Sequence, residues 1–166
     1  MIKGVYNLIK TVSNPIIEKQ LSIFRNENSS MKEAYSAVET ISLFLAGEVS
    51  KEFSLQKVTV KTPLGIADSV EIKDDIELIP IARAGLAMYA PFEKFLPCSN
   101  IGIVGANRNK DLSINITYNK ISDDLSGKTA VVLDTVLATG STIDKVISLL
   151  KDRICKKIIV ACILAT

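Results

Sequence analysis

Two apolar rhythms alternate along the chain. From Ser30 onward, Ala34, Ala37, Val38, Ile41, Phe44 and Leu45 recur at three- and four-residue spacing, the stripe of a helix that buries one face. Ser30 and Glu33 supply the capping box that starts it. Short β-rich runs follow: Lys57 to Thr62, Ile76 to Ile81, Asn100 to Gly105, Thr129 to Leu133 and Lys156 to Ala161. Several are apolar without alternation, the pattern of strands covered on both faces. Helical spacing returns between them, in Gly85 to Phe95 and in the face of Ile143, Val146, Ile147 and Leu150, which Lys151 and Arg153 close. Tyr89, Phe92 and Phe95 sit at helical spacing and are expected in the core or an interface. Strands alternating with helices predict an α/β fold with a mainly parallel sheet.

One segment departs from this scheme. Leu112, Ile114, Ile116 and Tyr118 alternate with Ser113, Asn115 and Thr117, which predicts a half-exposed antiparallel strand. The polar stretch Asn107 to Asp111 would turn the chain into it, making a hairpin arm outside the sheet. Thr62-Pro63-Leu64-Gly65 reads as a turn without chemistry. No repeat, linker or shift in composition divides the 166 residues. With 48% hydrophobic and 23% charged residues, a single packed domain over 1–166 is expected.

Composition then narrows the chemistry. The chain has no histidine, which removes Ser-His-Asp and Cys-His catalysis, imidazole acid–base work and histidine metal ligation. Its 20 Lys and Arg against 18 Asp and Glu leave a net charge of +2, too balanced for a dedicated binder of nucleic acid or anionic membrane. Cys98, Cys155 and Cys162 form no C-x-x-C pair and fit a reducing compartment. The longest apolar run, Ile158 to Ala165, is far below the roughly 20 residues that cross a bilayer, and no signal peptide opens the chain. A cytoplasmic protein with no membrane partner is expected.

The most informative stretch is Val131 to Ile143, VVLDTVLATGSTI. A buried strand ends at Asp134, passes through a short loop and enters a helix near Ser141 or Thr142. Carboxyl ends of strands collect ligands in open α/β sheets. Gly140 lets backbone N–H groups converge, and Thr139, Ser141 and Thr142 add hydroxyls, a neutral cradle for a phosphate at a helix N-terminus. Plain capping of the next helix by these residues explains the same pattern equally well. Walker A and G-x-G-x-x-G motifs are absent from the sequence. Arg83 interrupts the apolar series Leu78 to Leu86, where an unpaired buried cation would be costly, so it is expected to reach an internal carboxylate or an anionic ligand. Arg108 lies on the expected hairpin turn, where a lone arginine is ordinarily solvated; Lys110 and Asp111 read as surface charges.

LDTVLATGST resembles the phosphoribosyl diphosphate (PRPP) signature of type I phosphoribosyltransferases, and its LATG core resembles the uracil phosphoribosyltransferases, which typically read V-D-P-M-L-A-T-G-G-T. IPIARAGLAM resembles that family's P-I-L-R-A-G-L-G-M, VKTPLG its V-x-T-P-L-G, IGIVGANRNK its G-x-I-G-x-x-R-D, and LSIFRNENSS its early L-R-x-x-x-T-S. The similarity runs in order over nearly the whole sequence. It implies transfer of phosphoribosyl from PRPP to a nucleobase, uracil foremost, with release of pyrophosphate. Ala138, Thr139, Gly140, Ser141 and Thr142 would hold the 5′-phosphate, and Asp134, followed by Thr135 where many type I members carry a second acid, would face the ribose hydroxyls. Arg83 would meet the pyrophosphate, with Ala84 and Gly85 allowing close approach, and Arg108 would close over it. Mg²⁺ would arrive with PRPP rather than on protein ligands, and a homodimer or larger assembly is implied.

The family's pattern continues beyond the strand matching Ile158 to Ala161 with a segment like Y-I-V-P-G-L-G-D-A-G-D-R, whose backbone and acid read the uracil edge. No such segment stands in these 166 residues. The chain is therefore expected to be shortened, with uracil or UMP contacts coming from another segment or a neighbouring subunit. The alternative is a non-catalytic PRPP- or nucleotide-binding regulatory protein.

Overall fold

Strands without a polar side are driven to the middle of a sheet, and the computed structural model, which describes residues 9–98, 100–108 and 113–165, places them there. In chain order the elements are α1 (Pro15–Arg25), α2 (Met31–Ser50), β1 (Leu55–Thr62), β2 (Gly65–Ile72), β3 (Asp75–Ala82), α3 (Leu86–Phe95), β4 (Asn100–Ile101), β5 (Ile103–Arg108), β6 (Ile114–Lys120), β7 (Lys128–Leu137), α4 (Ser141–Asp152) and β8 (Lys157–Ala165). The main sheet runs β6-β5-β3-β7-β8, with β4 also pairing to β3. All its pairings are parallel except β5 with β6.

The two faces of β3 and β7 feed two cores. On one side Leu78, Val131 and Leu133 pack with Val38, Ala46 and Val49 of α2 and Met88 and Phe92 of α3. On the other, Ile79, Ala130 and Val132 pack with Ile143, Val146 and Leu150 of α4. The helical stripes read from the sequence thus point inward, and Phe92 is fully buried with Tyr89 packed against the same core. The capping box is made in full: Ser30 Oγ accepts from the Glu33 amide at 3.3 Å, and a Glu33 carboxylate oxygen accepts from the Ser30 amide at 2.8 Å.

Three features differ from expectation. The alternating segment after Asn107 does form an antiparallel strand, β6, but it is the edge of the main sheet rather than an arm outside it. Its alternation arises because one face packs Ile116 against the core on the α4 side while Asn115 and Thr117 on the other face are exposed. Residues 109–111 of the expected turn, with Lys110 and Asp111, and Leu112 of the expected strand lie outside the described residues. The arm is instead β1 and β2, a separate two-stranded antiparallel sheet closed by the Thr62–Gly65 turn, where Thr62 Oγ1 donates to the Gly65 carbonyl at 2.9 Å. The apolar pattern predicts neither β2 nor α1. A signal for α1 is nonetheless present: Asn14 accepts from the Ile16 and Ile17 amides at 2.9 and 3.0 Å, ahead of Pro15 in the first helical turn.

The third difference is a break in the expected Asn100 to Gly105 strand, split at Gly102 into β4 and β5. Glu77, fully buried in β3, lies beneath it, and a Cβ on Gly102 would stand 3.1 Å from Glu77 Oε1. That oxygen accepts the Ser122 amide at 2.8 Å, while Oε2 has the Lys128 ammonium at 3.6 Å. Burial of this charge is tolerable because it is paired. Pro80 falls between the stretches where β3 pairs with β4 and with β5, so its missing N–H coincides with the gap in that ladder.

Candidate functional site at the carboxyl edge of the sheet

β3 and β7 are neighbours in parallel register, with Pro80 opposite Leu133, so the turns that leave them emerge side by side. Gly85 locks the two turns together. Its amide donates to the Ile81 carbonyl at 2.8 Å, and a Cβ there would collide with the Leu133 carbonyl of β7. The turn after β3 therefore lies flat on the end of β7, one residue short of Asp134.

The strand does not end at Asp134 as expected but runs on to Leu137, held by pairing with β8, so Asp134 sits half-buried within β7. The nearby amides of Thr135 and Val136 favour its ionised form, but burial outweighs them and raises its proton affinity. The end of the strand and the loop to Gly140 surround a small concavity that takes in Asp134, Thr142 and Ile143. Gly140 is the N-cap of α4 at φ +75°, a left-handed conformation that favours glycine, and nothing lies within 4 Å of where its Cβ would be. The N-cap, being a glycine, brings no side chain of its own over the start of α4. The hydroxyls of Thr139 and Ser141 lie 3.0 Å from one another. The first turn of α4 and the positive end of its dipole border the concavity.

Arg83 requires a correction. It is exposed, because β3 ends at Ala82 and the chain turns out into solvent there, so burial does not force it onto an anion. Among the described residues it has no ion-pair partner, and the Ala82–Arg83 peptide is cis. Ala84 is exposed beside it, while Gly85 is buried in the contact with β7. Arg108 is the last residue of β5, paired through its backbone with Ile114 on β6. Thr135 is buried at 8% exposure, and its side chain stays out of the concavity; its part is the amide given to Asp134. Asp134, Ala138, Thr139, Gly140 and Thr142 line one opening, Ser141 joins it through Thr139, and the turn bearing Arg83 flanks it. Sequence reasoning missed Cys162, which β8 places in register with Asp134.

A mainly parallel sheet with helices on both faces, an acid in its central strand and a glycine-led helix start just beyond it fit the type I phosphoribosyltransferase fold. Solved members share the architecture: a purine phosphoribosyltransferase from Pyrococcus horikoshii superposes with a TM-score of 0.58 at 23% identity, over 76% of this chain and 72% of its own, which speaks to the fold. The AQ2163 protein from Aquifex aeolicus superposes with a TM-score of 0.88 at 26% identity, over 95% of this chain and 76% of its own. The sequence model of uracil phosphoribosyltransferase matches residues 11–166. A uracil phosphoribosyltransferase of Desulfitobacterium hafniense is 35% identical over 159 residues, covering 95% of this chain and 76% of the relative, and one from Campylobacter jejuni is 32% identical over 158 residues with the same coverage. The chain belongs to the uracil phosphoribosyltransferase family.

Proposed function

We propose that the protein transfers the phosphoribosyl group of PRPP to uracil, releasing pyrophosphate. The bond from the ribose C1 to the diphosphate oxygen breaks, a bond from C1 to a uracil nitrogen forms, and the nitrogen's proton is lost to solvent. The observation that carries the reading is the start of α4, entered through the left-handed Gly140 and sharing one concavity with Asp134, in a chain of this family. The 5′-phosphate would take the loop amides and hydroxyls of 138–142, where a dianion meets the positive helix end. Asp134 would accept the ribose hydroxyls and face the positive charge that develops on the sugar. Arg83, free to swing in solvent, would meet the diphosphate bidentately, and Arg108 would close from β5.

A Mg²⁺ ion would be carried by the oxygens of PRPP. When bound, the ion neutralises charge on the departing pyrophosphate. Pyrophosphate release from PRPP and Mg²⁺, measured across a nucleobase panel, tests the reading: release is expected with uracil, and PRPP is expected to raise the melting temperature. PRPP binding without release for any base would make the chain a binder, and no response to PRPP would remove the reading altogether.

The assembly we propose is a homodimer of single-domain subunits acting in the cytoplasm. No helix among the described residues is long and apolar enough to cross a membrane. An isolated two-stranded hairpin is marginal in water, yet β1 and β2 expose Leu55, Val60, Ile66 and Val70 on their two faces and Leu64 at the tip. A second copy would cover them. Light scattering is expected to give twice the chain mass, and Ile66→Lys with Val70→Lys to shift it toward the monomer; a wild-type monomer at micromolar concentration would overturn this.

A further inference from the structure

We propose that Cys162 is a positioning residue for Asp134, keeping the β8 flank of the carboxylate apolar so that it is held by its own loop amides and presented to the concavity. The proposal rests on the reading of Asp134 as the carboxylate that meets the ribose. Paired residues of parallel strands project from the same face of the sheet, and β7 and β8 pair Ala130 with Ile158, Val132 with Val160, Asp134 with Cys162 and Val136 with Leu164. The first two rungs belong to the core against α4. Asp134 is thus the one acid in this column, and every β8 residue facing it is apolar except for a thiol.

A thiol at that position is a weak donor. A hydroxyl of similar size would donate to the carboxylate and draw it toward β8, away from the Thr135 and Val136 amides that now orient it. The titratable and charged groups around Asp134 are few. From β8 there is Cys162, whose thiol is raised by burial and by the Asp134 charge itself. On the neighbouring turn after β3, Arg83 is exposed; α4 offers Asp144, which is exposed and outward. No ion pair to Asp134 forms among the described residues. Beside the carboxylate stand the amides of Thr135 and Val136 and, on the β8 side, an apolar flank.

Cys162→Ser and Cys162→Val separate this from a merely structural role. With Ser, kcat is expected to fall about tenfold with a smaller change in KM for PRPP, the size of one strong hydrogen bond to a charged group. The acid limb of the pH profile is expected to move to lower pH, since a donor favours the ionised form. Val, which keeps the flank apolar, is expected to stay within about twofold of wild type with an unmoved limb. The independent measurement is a carbon-13 titration of aspartate carboxyls in the unliganded protein, with Asp134 assigned by its loss in Asp134→Asn. Ser should lower the Asp134 titration and Val should leave it. A Ser variant that titrates and turns over like wild type overturns the proposal. Should Ser prevent folding, Cys162→Ala, which admits water to the flank, replaces it with the same expected direction. A wild type inactive toward PRPP would remove the proposed function while the titration still decides whether Cys162 governs Asp134.

Discussion

Replacing Asp134 with asparagine is expected to lower turnover of PRPP by about 10²-fold or more while making the unliganded protein more stable. The loss follows from removing a fixed negative charge aimed at a sugar that becomes positive, an effect of about 10²–10³ for one preorganised electrostatic group. KM for PRPP should change less than kcat, because asparagine still accepts from the Thr135 and Val136 amides and can still bond a ribose hydroxyl. The gain in stability follows from the direction of the Asp134 shift, which burial pushes upward. At acid pH the carboxyl is protonated in both folded and unfolded chains, and Asp and Asn differ little. As pH rises from the ordinary aspartate range toward the higher folded value, the unfolded chain gives up its proton first. Ionisation therefore favours the unfolded state, and the wild type loses stability that the Asn variant keeps. Melting curves should show a gap of a few degrees that opens with rising pH and then levels off. A gap that narrows with pH would mean that attraction, not burial, dominates around Asp134.

Gly85→Ala is expected to be the most damaging of the single-methyl changes. The added carbon would meet the Leu133 carbonyl and stand 2.8 Å from both the amide nitrogen and carbonyl oxygen of Ile81, all backbone atoms of β3 and β7. No side chain can rotate out of the way, so the turn after β3 must lift off the sheet. Overpacking of this kind costs about 3 kcal/mol, which in a chain of this length lowers the melting temperature by roughly 6–12 °C. Activity should fall further than stability, because the same turn carries Arg83 and abuts Asp134. Gly47→Ala is the matched control: in the last turn of α2, its Cβ would lie 3.7 Å from Phe95 Cζ, an ordinary contact, and alanine should stabilise by up to about 1 kcal/mol. Equal melting temperatures for the two variants would show that the β3 turn yields.

The parallel core, the capped helix α2 and the strand–loop–helix around Gly140 were legible because each rests on local chemistry. Continuous apolar runs, a Ser and Glu three residues apart and a glycine before a helix carry their meaning within a few positions. The same locality explains the misjudgements. The alternation of β6 is identical for a free arm and for a sheet edge, and only pairing with β5 distinguishes them. Arg83 stands among apolar residues in the sequence yet in solvent in the fold, since hydrophobic neighbours do not reveal where a strand ends. Glu77 broke the apolar pattern of β3, but the gap it opens at Gly102 depends on residues far along the chain.

The sequence by itself determined the class of fold, the glycine-led loop between β7 and α4 and the family, because backbone conformational preference and motif spacing are properties of short segments. The absence of histidine likewise restricts the chemistry to carboxylates, hydroxyls, amides and cations on composition alone. Tertiary structure alone decided that Gly85 clamps the turn after β3 to the neighbouring strand, that the hydroxyls of Thr139 and Ser141 meet, and that Cys162 stands in register with Asp134. Those are questions of register and close approach between segments distant in sequence, and only the packed sheet answers them.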